Sequence, residues 1–101
     1  MNMQHLMTYS AVWEIDMQLT SGIIEVDLHG LRVEEAVQKA EDAVRKAPPS
    51  VYIIRLIHGY HGGTRIREAV EYEFSNGRNL KVKRVRPGNN PGITELILRE
   101  F

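Results

Sequence analysis

The chain has no cysteine among its 101 residues, which rules out a disulfide framework and a thiolate metal site. No apolar run approaches the roughly 18 residues that a membrane-spanning helix needs. The opening stretch MNMQHLMTYS lacks the basic start, apolar centre and small-residue cleavage site of a secretory signal. Neither G-x-G-x-x-G nor G-x-x-x-x-G-K-[ST] occurs, so no nucleotide cofactor such as ATP or NAD is expected. No segment repeats another. These absences leave a soluble, cytoplasmic domain, without membrane contact and monomeric, as the expectation.

What is present is an ordinary globular composition, 43% apolar and 26% charged, on a chain long enough for one core. The formal net charge is zero, but it is unevenly spread. Residues 1–54 carry four Lys/Arg against eight Asp/Glu, whereas residues 55–86 carry eight against three. A neutral protein with one basic half can present a phosphate-binding face.

The stretch WEIDMQLT alternates at Trp13, Ile15, Met17 and Leu19, and IIEVDL alternates at Ile24, Val26 and Leu28. Ser21-Gly22 lies between them, which predicts two strands in a hairpin. Val33, Ala36, Val37, Ala40, Ala43, Val44 and Ala47 form one helical stripe, stopped by Pro48-Pro49. VYIIRLI reads as a buried strand. A second helix follows, with Thr64 as a candidate cap, a stripe of Ile66, Ala69, Val70 and Phe74, and a stop at Asn76-Gly77. LKVKRV and TELILRE predict two more strands around the turn-rich PGNNPG. Glu25, Asp27, Arg55, Glu95 and Arg99 alternate with the apolar positions, so one sheet face should meet water. The fold class is therefore α/β, a two-layer sandwich of βαβαββ order with a mixed four-stranded sheet. An extra N-terminal edge strand at 13–19 is added to it. Residues 1–20 are an extension and residues 21–101 the domain.

Asp27-Leu28-His29-Gly30 ends one predicted parallel strand and His58-Gly59 ends the next. Both ends fall at the same sheet edge, where α/β proteins usually bind ligands, and adjacent strands run about 4.8 Å apart. The same edge is expected to collect the amino ends of both helices, Arg84, Arg86 and the 87–92 loop. Two imidazoles, a carboxylate, glycine-exposed amides and arginines at one spot suit a phosphodiester. His58-x-x-His61 with His29 and Asp27 also offers nitrogen and oxygen ligands for a divalent metal. A glycine-rich loop does not fix such geometry unaided, so no metal ligand is assigned.

EVDLHGLRVEEAV, followed about thirty residues later by IIRLIHGYHGGTRIREAV, resembles the Smr (small MutS-related) domain family. The resemblance covers residues 23 to about 99. It implies a fold similar to the C-terminal domain of a bacterial translation initiation factor, with strand order 1-2-4-3 and the fourth strand antiparallel. It also implies binding of DNA or RNA, and nicking or endonucleolytic cleavage. Asp27, His29 and Gly30 match the first family signature; His58, Gly59, Gly62, Gly63 and Arg67 match the second. The second loop departs from the family's His-Gly-x-Gly-x-Gly, with His61 at or next to a glycine position. Arg32 stands where a threonine is common.

Three functions follow as alternatives. As a nuclease, His29 or His58 would be the general base and the other the acid, with Asp27 orienting and Arg67 stabilising developing charge. As a binding module, Arg65, Arg67, Lys83, Arg84 and Arg86 would contact phosphates, alongside Gly30, Gly59, His61, Gly62 and Gly63. As a protein-interaction domain, it would dock through the 13–19 strand.

Overall fold

The computed structural model describes residues 17–20, 22–61 and 63–100. They form β1 (Met17–Thr20), β2 (Ile23–Asp27), α1 (Val33–Lys46), β3 (Ile53–Ile57), α2 (Arg65–Phe74), β4 (Arg84–Pro87) and β5 (Ile93–Ile97). The sheet order is β1-β2-β3-β5-β4. β2 and β3 are parallel, and β5 runs antiparallel to both β3 and β4. The expected 1-2-4-3 arrangement is thus the main sheet. β1 adds a fifth strand antiparallel to β2, with Thr20 paired to Ile23. The edge strand expected at 13–19 is seen from residue 17; residues 13–16 lie outside the described residues. Because β1 occupies the edge of β2, that edge is not free for a partner strand.

Alternation decides which face each strand buries. Ile24, Val26 and Leu28 of β2 and its extension, Ile54 and Leu56 of β3, and Leu96 and Leu98 at β5 join one core. α1 contributes Ala36, Ala40, Ala43 and Val44, all buried and all on one stripe. α2 contributes Val70 and Phe74. Both helices therefore cover a single face, giving two layers. Glu34 and Glu35 in the first turn of α1, and Arg45 and Lys46 in its last, complement the helix dipole.

Two local expectations are corrected. Thr64 does not cap α2 through its side chain; its hydroxyl donates to the Glu68 carboxylate at 2.9 Å. The strand expected at 80–85 begins only at Arg84. Asn79 is the reason: its side-chain oxygen accepts the Lys81 N–H at 2.9 Å and its carbonyl accepts the Val82 N–H at 3.1 Å. That turn bends the backbone away from the sheet and leaves Leu80 exposed.

The other face of the sheet carries a row of charge across four strands. Arg55 donates to Glu25 at 3.0 Å and to Glu95 at 3.0 Å, and Arg86 donates to Glu95 at 2.8 Å. Burial pushes the Glu95 carboxyl up, but the hydrogen bonds from Arg86 and Arg55 outweigh burial and hold it below the ordinary glutamate value. A carboxyl depressed in the fold stabilises it above the unfolded value of about 4.3 and loses that contribution as pH falls through its lower folded value. Glu95→Gln should cost about 1–3 kcal/mol in urea denaturation at pH 7, and the gap to the parent should narrow as pH falls below the ordinary glutamate value. An unchanged midpoint at pH 7 would show that the row contributes nothing to stability.

Candidate functional site

β2 and β3 deliver their carboxyl ends side by side. The Leu28 N–H donates to the Ile57 carbonyl at 2.8 Å, so the parallel ladder persists to the rim. Beyond it the chain turns at His29-Gly30 and enters α1. Asp27 Oδ1 accepts both the His29 backbone N–H, at 3.1 Å, and the ring Nδ1–H, at 2.6 Å. Desolvation raises the Asp27 carboxyl, but the side-chain and backbone hydrogen bonds from His29 prevail and lower it. The carboxylate thus holds a proton on Nδ1 and leaves Nε2 as the outer ring nitrogen. The His29 side chain is 70% exposed. Lys39 of α1 donates to the Asp27 carbonyl at 3.1 Å and ties the helix to this strand end.

His58 behaves differently. It is 7% exposed. A carbonyl can only accept, so His58 Nδ1 donates to the Gly59 oxygen at 2.8 Å, and Nε2 of the neutral ring accepts the Thr94 hydroxyl at 2.8 Å. Both nitrogens are spent within the chain. His58 lines the cleft with His29, but its ring also links the end of β3 to β5. The backbone repeats the link, for the Gly92 carbonyl accepts the His58 and Gly59 N–H groups at 2.9 and 3.0 Å. Gly59 holds φ +75°, where side-chain-bearing residues are strained. A Cβ on Gly92 would come 3.1 Å from the Gly59 Cα. The two loops meet there because Gly92 has no side chain.

His29, Gly30, His58, Gly59, His61, Gly63 and Arg65 all line one cleft of about 800 Å³. Of the residues expected there, Gly62 lies outside the described residues. Arg67 does not line the cleft; it faces Glu71, one turn along its own helix, at 4.0 Å. Arg84 pairs with Glu100, and Arg86 with Glu95, on the sheet face away from the helices. Lys83 precedes β4 and lines a separate cleft with Pro48, Pro49 and Leu80, at the opposite rim of the sheet. The cationic part of the site is correspondingly smaller than expected, and it is supplied by Arg65 and by Arg32, which line the same cleft. Arg32 gives α1 no side-chain cap, as its identity implies; the Glu35 carboxylate accepts its N–H instead, at 3.2 Å.

Sequence reasoning also missed Tyr60 and Thr94. Thr94 is 1% exposed and sits 36 residues from the histidine it binds, so only the antiparallel return of β5 joins them. The first turns of α1 and α2 open onto the same cleft. Their leading N–H groups have no partner within the helix and carry the positive end of its dipole. Among the described residues no three His, Asp or Glu side chains converge at metal-ligand distance. The arrangement can take an anion between two helix starts and two arginines, and can move a proton at His29.

The fold has a counterpart among solved structures. The crystal structure of the Smr domain of Thermus thermophilus MutS2 matches with a TM-score of 0.66 at 30% identity, covering 75% of this chain and 98% of that one. No protein-family model and no curated protein matches the chain.

Proposed function

This chain belongs to the Smr domain family, and from that premise we propose that it binds nucleic acid, seating the phosphodiester backbone in the cleft at the carboxyl rim of β2 and β3. The observation that carries the reading is convergence: two helix amino ends, Arg32, Arg65 and the exposed His29 border one opening. Backbone amides and guanidinium groups are the common means of holding phosphate. The single acid on that wall, Glu34, leaves the balance cationic. Glycines at 30, 59 and 63 keep the walls low, so a bulky backbone can approach.

Phosphate contacts make affinity fall with salt, with a log–log slope of about −0.7 to −0.9 per phosphate neutralised. The double variant Arg32→Glu/Arg65→Glu should flatten that slope by about one to two and weaken binding to every sequence alike. Fluorescence anisotropy over a salt series reads both quantities. Affinity indifferent to salt in the parent protein would remove the proposal.

Cleavage is a second reading, favoured by the Asp27–His29 pair. In RNA, His29 Nε2 would take the proton of a 2′-hydroxyl as its oxygen bonds to the adjacent phosphorus. The P–O5′ bond then breaks, and the departing oxygen takes a proton from water. The amides at the helix starts face the charge that grows on the phosphoryl oxygens.

A further inference from the structure

Three large side chains with apolar bulk are strongly exposed among the described residues: Tyr60 at 52%, Tyr72 at 68% and Leu80 at 97%. Tyr72 has one ring face covered by the Arg78 guanidinium, 4.4 Å from its centroid. Tyr60 stands instead on the wall of the functional cleft, next to His61 and near Arg65. Its ring stacks on the His61 imidazole, with centroids 4.6 Å apart and planes inclined by 27°.

The ring is also held in place. A Cβ on Gly92 would lie 3.1 Å from Tyr60 Cδ1, so the ring edge rests in the space that this glycine leaves. The Tyr60 carbonyl accepts the Gly63 N–H at 3.3 Å, which closes the loop behind the ring. An aromatic side chain fixed by packing, backed by a second ring and still half in water, has a face to offer at little further entropic cost.

We propose that Tyr60, backed by His61, is a stacking platform for an unpaired nucleobase, so that the cleft takes single-stranded or locally unpaired nucleic acid in preference to intact duplex. The inference rests on the nucleic-acid reading above and adds the substrate class. In a duplex both faces of each base are covered by neighbours, and an aromatic side chain can stack only on a base that has left that column. Arg65, on the same wall, would hold the phosphate beside the stacked base, in the pattern by which non-specific single-strand binders combine rings with cations.

The test uses the full chain and three probes of one sequence: a single strand of about ten nucleotides with 2-aminopurine near its centre, its duplex, and the strand with that base removed. Binding should quench the aminopurine in the single strand, and that strand should bind at least tenfold more tightly than duplex. Tyr60→Ala should weaken single-strand binding by about 5- to 100-fold, abolish the quenching and leave duplex affinity unchanged. Tyr60→Phe should keep both. Loss of the central base should narrow the difference between Tyr60→Ala and the parent. Duplex binding as tight as single-strand binding, or equal loss on both in Tyr60→Ala, would overturn the platform while leaving the phosphate site standing. No binding of any probe at low salt would instead remove the nucleic-acid reading itself. Tyr60 is half exposed, so an unchanged thermal midpoint in Tyr60→Ala serves as the folding control.

Discussion

Replacing His58 by alanine should cost the fold about 2–4 kcal/mol, measured as a drop in urea midpoint with the slope unchanged. The ring is nearly enclosed, so its removal opens a cavity. It also strands the Thr94 hydroxyl, which is 1% exposed. The Gly59 carbonyl loses its ring donor as well. The gap and the unpaired hydroxyl both contribute to the loss. Binding by the folded fraction should persist, since both imidazole nitrogens are engaged within the chain. Thr94→Val should reproduce part of the loss, and the double variant His58→Ala/Thr94→Val should cost less than the two single changes summed, since they break one shared hydrogen bond. If His58→Ala is as stable as the parent yet inactive, His58 is a working group in the cleft and not a link between strands.

His29→Ala should do the opposite. The side chain is 70% exposed and its partner is a neighbour two residues away. Stability should change by no more than about 0.5 kcal/mol. Cleavage of single-stranded RNA, where the chain shows it, should fall by about 10²- to 10⁴-fold, the usual contribution of a positioned proton acceptor. An RNA with a 2′-deoxynucleotide at the scissile position should resist the parent protein as fully as normal RNA resists His29→Ala. Asp27→Asn should fall between parent and His29→Ala, because the amide can present its nitrogen to Nδ1 and favour the wrong tautomer. A His29→Ala variant with the parent's cleavage rate would leave binding as the whole function of the site.

The contrast between the two histidines was legible in the period of the strands. His58 shares the parity of Ile54 and Leu56, which are buried against the helices; His29 shares that of Glu25 and Asp27, which face away. Both line the cleft, but the period separates an exposed ring from a buried one. The same rule explains Arg84 and Arg86. Val85 between them packs on the core, so the arginines turn to the open face. Their partners were not legible, for Glu95 opposes Arg86 only in the β4–β5 register. The parallel pair and the meeting of the two Gly-bearing turns followed from the β-α-β spacing, since parallel strands end at one rim, whereas the strand order was implied by the family resemblance. The Asn79 turn and the Tyr60–His61 stack depend on single side-chain contacts that no periodicity encodes.

The most direct test of the cleft is a titration of ¹⁵N-labelled protein with a short single-stranded oligonucleotide, followed residue by residue. Amide shifts should concentrate at His29–Glu34 and Gly59–Ile66, with Arg84, Arg86 and Lys83 nearly still. Shifts gathered on those three residues and on the open sheet face, with His29 and Arg65 unmoved, would place the binding surface elsewhere and contradict the site derived from the strand ends.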